Sequence, residues 1–356
     1  MSVSIDSTTT PLFYPGDGLQ ERKLARMRAV MAERGLDALL FIKHDAVRWV
    51  TGFYAKGYRP FIELEYVALL MADGPVVLGT ALSGEQSRAT ARGRADRVIQ
   101  LGKQATWPRA VADLLAEHEL ETGRIGYDFL TAGLHAGLRE LCPLADLVDA
   151  SNVWTDATKI KDPEEVELLR RALAIAQDGM RVALDLIHGE DAPRELDVAA
   201  AAEFEMRRAG SEMTPFITNV ASGANAAVFE RLATERRIQD GDMVIIDLGC
   251  VYRGYTGDFA RGAVRGTASP AQRRLYRAAW LAQQEAIRAI RPGVACSTID
   301  VIARRVLADE GYAAYTMPWA TGHQLGYGLH GAPVIAPGVD DLLEPGMVIN
   351  IEPAAC

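Results

Sequence analysis

Four short segments in the last third of the chain set the tightest constraint on its fold. They are Ile245-Ile246-Asp247-Leu248-Gly249, Gly254-Tyr255-Thr256-Gly257-Asp258, Gly322-His323-Gln324-Leu325-Gly326 and Ile351-Glu352-Pro353. Each presents one side chain able to ligate a metal, from apolar or Gly-rich surroundings. Three carboxylates and one imidazole make a hard-oxygen set with a single nitrogen, which suits Zn, Mn, Fe or Co rather than a thiolate site. A fold that uses them as one set must gather Asp247, Asp258, His323 and Glu352 at one point. The residues alone leave a second reading open, with Asp247 as a strand-end carboxylate capping the Gly249 turn. Two like charges brought close each disfavour ionisation unless a cation lies between them.

Size points to two domains rather than one core at 356 residues. A net charge of -9 argues against nucleic acid and acidic membrane surfaces as partners. The four cysteines, Cys142, Cys250, Cys296 and Cys356, form no CxxC pair and are too sparse for a disulfide framework. The first ten residues have neither the basic nor the apolar region of a signal peptide, and no apolar run reaches membrane-spanning length. A cytoplasmic protein is the expectation.

Residues 1–18 are polar and read as an arm. A helix follows over about 19–34, with Leu24, Met27, Val30 and Met31 at helical spacing and Gly35 at its end. Strands over 38–42, 66–71, 76–78, 124–127 and 144–148, with a helix over 130–141, describe an α/β domain over 19–155. The second domain spans 156–356. Asp162-Pro163-Glu164-Glu165 is a strong helix start: a cap, a proline in the first turn, and a glutamate three residues after the cap. Helices over 193–208, 270–290 and 297–310 and short strands between them give an α+β layout with antiparallel strands.

The order D-x-G-x-x-x-x-G-Y-x-x-D, G-H-x-x-G, I-E-P resembles the pita-bread superfamily, and the two-domain layout resembles its creatinase and prolidase branch. Ser222-Gly223-Ala224-Asn225, Gln239-Asp240-Gly241-Asp242 and Arg291-Pro292-Gly293 add to the resemblance, which covers most of 155–356. It implies an α+β pita-bread catalytic domain after a smaller α/β creatinase-like domain. It also implies a metal-dependent hydrolase of a C–N bond in a small carboxylate-bearing substrate, an Xaa-Pro dipeptide or a small solute. By the same resemblance Asp247 chelates one metal, Asp258 bridges two, and His323 and Glu352 complete the set around a divalent pair of Mn, Zn, Co or Fe. His330 becomes the catalytic histidine over the substrate, Tyr255 a substrate contact, and the protein a homodimer in which Arg59 of one subunit grips the carboxylate in the other's site.

The chain departs from that pattern in three places. The family's fifth ligand is a glutamate in a strand well after I-E-P, whereas this chain stops at Cys356. The expectation is a C-terminally truncated fragment, because 348–351 reads as a strand in need of a neighbour. An incomplete site is the other reading. Glu230 stands where relatives keep a substrate-facing histidine, ahead of the matching Thr234 and Arg236, and Gly331 replaces a glutamate after the second histidine. Both exchanges tilt the expectation toward a non-peptide substrate, with Glu230 on the pocket rim. A lyase of the dimethylsulfoniopropionate-cleaving type and a catalytically inactive binding protein are the alternatives.

Overall fold

Three apolar runs without polar alternation dictate the centre of the first unit, since such strands are stable only when both faces are covered. β1 (Ala38–Phe41), β2 (Tyr66–Met71) and β3 (Val76–Thr80) are buried at every position. The computed structural model describes residues 16–54, 66–228 and 232–356. In it β4 (Arg97–Gln100), β5 (Arg124–Tyr127) and β6 (Asp146–Asp149) complete a six-stranded sheet in the order β4-β3-β2-β1-β5-β6. β2 pairs antiparallel with β1 and β3; the outer pairs are parallel. α1 (Asp17–Glu33), α2 (His44–Thr51), α3 (Ser83–Arg92), α4 (Trp107–Glu117), α5 (Ala132–Leu141) and α6 (Ser151–Thr158) accompany it. Leu40, Leu69, Val77, Trp107, Leu115 and Ile125 share its core. Of the expected arm, residues 1–15 lie outside the described residues, and α1 begins at Asp17. No described helix is long and apolar enough to cross a membrane.

The chain divides into two compact units between Thr158 and Lys159. The second opens on α7 (Pro163–Ile187), where Glu165 accepts the Asp162 N–H at 3.0 Å and Pro163 fills the first turn. Its buried face, Leu169, Ala172, Ala176, Met180, Ala183 and Ile187, recurs at three- and four-residue steps. α8 (Glu195–Arg208) packs on it. β7 (Asn219–Ser222), β8 (Met243–Tyr252) and β9 (Tyr255–Val264) form an antiparallel sheet whose β8–β9 turn is Arg253-Gly254. Both turn residues have positive φ, 52° and 85°, the backbone that suits a two-residue hairpin. β9 lies so close to α7 that a Cβ at Gly257 would sit 2.6 Å from the Ala172 carbonyl carbon. α9 (Pro270–Ala289), α10 (Cys296–Asp309), β10 (Gly322–Gly326) and β11 (Gly328–Ile335) follow.

One buried carboxylate ties this sheet to its connecting loop. Glu195, fully buried at the start of α8, accepts bonds from Ser222 N–H (2.7 Å) and Ser222 Oγ (2.6 Å). Asn225 Nδ2 (3.1 Å), Thr234 N–H (3.0 Å) and Thr234 Oγ1 (2.6 Å) complete its set. Arg236 joins Ser222 Oγ and pairs with Asp242. Burial pushes the Glu195 carboxyl up, but the bonds from Ser222, Thr234 and Asn225 outweigh it and hold it below the usual range. Its contribution is therefore complete above about pH 4.5 and is lost as pH falls through its lowered value. Glu195→Ala strands several buried donors and should cost about 3–5 kcal/mol, read as a lower urea midpoint at pH 7. A midpoint unchanged from the parent would show that the network carries no such weight.

Candidate metal centre

The register of the β8–β9 hairpin sets two of the carboxylates. Asp247 stands opposite Ala260 and Asp258 opposite Gly249. Cross-strand partners share a face, as do residues two apart on a strand, so Asp247 and Asp258 rise from the same face as diagonal neighbours. The other two come from β10 and from the chain after residue 347. That chain runs antiparallel to β10 through Leu325 N–H to Val348 O (2.9 Å), Asn350 N–H to His323 O (2.9 Å) and Glu352 N–H to Thr321 O (2.8 Å). Gly322 permits the approach, since a Cβ there would meet the Asn350 carbonyl oxygen at 2.2 Å. The Thr321 end of β10 is fixed by Asp300, fully buried, which accepts Thr321 Oγ1 at 2.6 Å and pairs with Arg304 at 2.7 Å.

Asp258, His323 and Glu352 thereby offer ligand atoms that all lie within 4.8 Å of one another. His323 Nε2 is 3.4 Å from Asp258 Oδ2 and 3.5 Å from Glu352 Oε1. His323 and Asp258 are deeply buried, whereas the Glu352 side chain stays 30% exposed. His323 Nδ1 lies 3.2 Å from the Gln324 carbonyl oxygen. A carbonyl only accepts, so Nδ1 carries a proton, and in the neutral ring Nε2 keeps the lone pair that a cation would take. Asp247 stands outside the three-residue group, yet close enough for its charge to act on Glu352.

The remaining sequence expectations fare differently. Tyr255 is corrected: it is fully buried, its hydroxyl donates to Glu165 at 2.9 Å, and its ring meets Tyr327 edge-on at 5.2 Å. It binds β9 to α7 and offers no face to a substrate. His330 is exposed, with its ring 4.5 Å from that of His323. Residues 348–351 form no regular strand, but their neighbour is β10, along which they run through the hydrogen bonds above. At Gly331 a Cβ would lie 2.8 Å from Gln324 Nε2, so Gln324 fills the room a larger residue would need. Arg59 and Glu230 lie outside the described residues. Asn350, absent from the sequence expectations, bonds to both Asp258 and His323. Its signal was its place two residues before Glu352 in an extended segment, which puts both side chains on one side.

Partial burial, then the charges of Asp258 and Asp247, push the Glu352 carboxyl up to about 8, with His323 pulling the other way. A cation among these groups reverses that repulsion, and the oxygen and nitrogen donors fit a hard or borderline divalent ion. The sign follows directly. Without the cation Glu352 is protonated at neutral pH, and its stabilising share is lost as pH rises through about 8. Metal-free protein should therefore lose thermal stability between about pH 4.5 and pH 8, and Mn²⁺ uptake near pH 7 should release a proton. Calorimetric titrations in buffers of different ionisation enthalpy measure that release; a heat independent of buffer would contradict it.

Residues 167–356 match metallopeptidase family M24, and residues 23–157 match the creatinase/prolidase N-terminal domain. An Xaa-Pro dipeptidase of Pyrococcus furiosus is 34% identical over 224 residues, 63% of this chain and 64% of that one. An Xaa-Pro dipeptidase of Pyrococcus horikoshii is 26% identical over 94% of this chain and 90% of its own. The solved Xaa-Pro dipeptidase from Bacillus anthracis superposes with a TM-score of 0.82 at 26% identity, covering 94% of this chain and 90% of that one. The chain thus belongs to metallopeptidase family M24, a metal-dependent hydrolase whose pita-bread domain follows a smaller creatinase/prolidase-type N-terminal domain.

Proposed function

We propose that this chain hydrolyses Xaa-Pro dipeptides in the cytoplasm, using divalent cations held by Asp258, His323 and Glu352 with Asp247 beside them. The observation that carries the reading is the convergence of three ligand atoms within 4.8 Å inside the region that matches the family. The substrate class rests on relatives named Xaa-Pro dipeptidase, two of them matched over 94% of this chain. Those names favour a peptide substrate over the small solute suggested by Glu230 and Gly331, and they lend nothing to a lyase or an inactive binder. The donor set suits Mn, Zn, Co or Fe, two per site in this reading.

When bound, such a cation polarises a carbonyl and acidifies a water. The chain's own residues do the rest. The Gln324 carbonyl holds a proton on His323 Nδ1, which leaves Nε2 as the nitrogen that would meet the cation. Glu352, the more exposed of the clustered carboxylates, is the one best placed to hold a proton on its way to a leaving amine. His330, exposed beside His323, is a donor for oxyanion charge on the scissile carbonyl. Glu230 on the rim reads substrate charge, and Arg59 from a second subunit grips the proline carboxylate as a bidentate pair.

Protein reconstituted with Mn²⁺, Co²⁺, Zn²⁺ or Fe²⁺ should cleave Ala-Pro at about 1–10³ s⁻¹ and leave Ala-Ala nearly untouched. Asp258→Ala should lower that rate at least about 100-fold, the upper end for losing even an outer partner of a metal site. Absence of Xaa-Pro cleavage with all four cations would sink the dipeptidase reading.

The homodimer is tested separately. Light scattering should give twice the chain mass, and Arg59→Ala should raise KM about 10- to 100-fold, as expected for a charge-assisted contact worth roughly 1.5–3 kcal/mol. A monomer with undiminished activity would refute the shared site.

A further inference from the structure

Asn350 occupies a position that no ligand assignment accounts for. Its Oδ1 accepts the His323 backbone N–H at 2.7 Å. That bond fixes which way the amide faces, because an amide nitrogen placed there would oppose a second donor. The Nδ2 group is consequently turned inward, 3.1 Å from Asp258 Oδ2 and 3.1 Å from His323 Nε2. In its neutral form, with the proton on Nδ1, His323 presents a lone pair at Nε2. The two hydrogens of Nδ2 therefore meet two acceptor lone pairs, one on each ligand.

The backbone explains how a residue so far along the chain reaches this point. Asn350 N–H donates to His323 O, so the two residues exchange hydrogen bonds through both main chain and side chain. Gly322, next to His323, gives the Asn350 carbonyl the room it needs. Glu352, two residues on, is carried to the cluster by the same segment. One side chain thus spans β9, β10 and the terminal segment, the three pieces of chain that supply the ligands.

We infer that Asn350 is a positioning residue for the metal centre. Its neutral amide holds Asp258 Oδ2 and His323 Nε2 at their working separation before a cation arrives. Asp258 and His323 would hold such a cation, and Asn350 would then keep its hydrogen bond to Asp258. A threonine or alanine at this position lacks the two-hydrogen donor that reaches both ligands.

The inference rests on the metal centre described above, and titration of metal-stripped protein with Mn²⁺ separates the two. Parent protein should bind Mn²⁺, and Asn350→Ala should bind it about 10- to 100-fold more weakly, the range for an outer partner that orients ligands. Asn350→Leu, which keeps the volume and removes the hydrogen bonds, should lose affinity to the same degree. The melting temperature of both metal-free variants should stay close to that of the parent, and the EPR line shape of residual bound Mn²⁺ should change. Affinity within twofold of the parent, or tighter binding, would overturn the positioning role and leave the metal centre standing. Affinity lost only in step with a fallen metal-free melting temperature would overturn it as well. Failure of the parent itself to bind Mn²⁺, Zn²⁺ or Co²⁺ would reject the centre and the role of Asn350 together.

Discussion

The antiparallel run of residues 348–352 along β10 is the constraint on which the site depends. Three main-chain hydrogen bonds hold that run in place, and they bring Glu352 to His323. The approach is possible only because residue 322 has no side chain: a Cβ would stand 2.2 Å from the Asn350 carbonyl oxygen. Any larger residue must push the segment outward, and with it both Glu352 and Asn350. The glycine of the G-H motif is thus a requirement of backbone proximity, and the histidine beside it is the group that the proximity serves.

A second close approach fixes the other half of the centre. β9 carries Asp258 and lies against α7 at Gly257, where the helix backbone leaves no room for a Cβ. The Tyr255 hydroxyl, bonded to the buried Glu165, ties the start of the same strand to the same helix. Glu165 does double duty, since it also receives the N–H of Asp162 at the helix start. The cap of α7 and the seating of the ligand-bearing hairpin are in this way parts of one hydrogen-bonded arrangement. Packing at native density makes such a join stiff, so the placement of Asp258 is set by groups outside the cluster.

Polar groups remote from the ligands follow the same logic. In the sequence Ser222 and Asn225, with Thr234 and Arg236, add to the family resemblance. In the structure these side chains surround Glu195 and satisfy it. A buried carboxylate is costly unless each lone pair finds a donor. Meeting that demand orders the chain on either side of residues 229–231, which lie outside the described residues. The Asp300, Arg304 and Thr321 group performs the equivalent task before β10.

Much of the architecture was legible in the sequence, and the limits of that reading are physical. Local rules sufficed for α7, whose cap, first-turn proline and apolar stripe are encoded within one window, and for the β2–β3 hairpin, whose strands are uniformly apolar. The sequence singled out Asp247, Asp258, His323 and Glu352 by residue type; the structure gathers the ligand atoms of the last three, with Asp247 outside that group. β4 escaped, being a four-residue edge strand with exposed Arg97 and Gln100 at its ends and no burial pattern to betray it. Tyr255 was misread because a tyrosine in a motif has the same letters whether its hydroxyl faces a substrate or a buried glutamate 90 residues away. Asn350 was passed over because its partners, Asp258 and His323, are 92 and 27 residues distant in sequence. By itself the sequence determined which groups are chemically fit to hold a cation and which helices and strands present them. Only the tertiary structure decided which main chains run side by side, and that choice selects the neutral side chain that orients the charged ones.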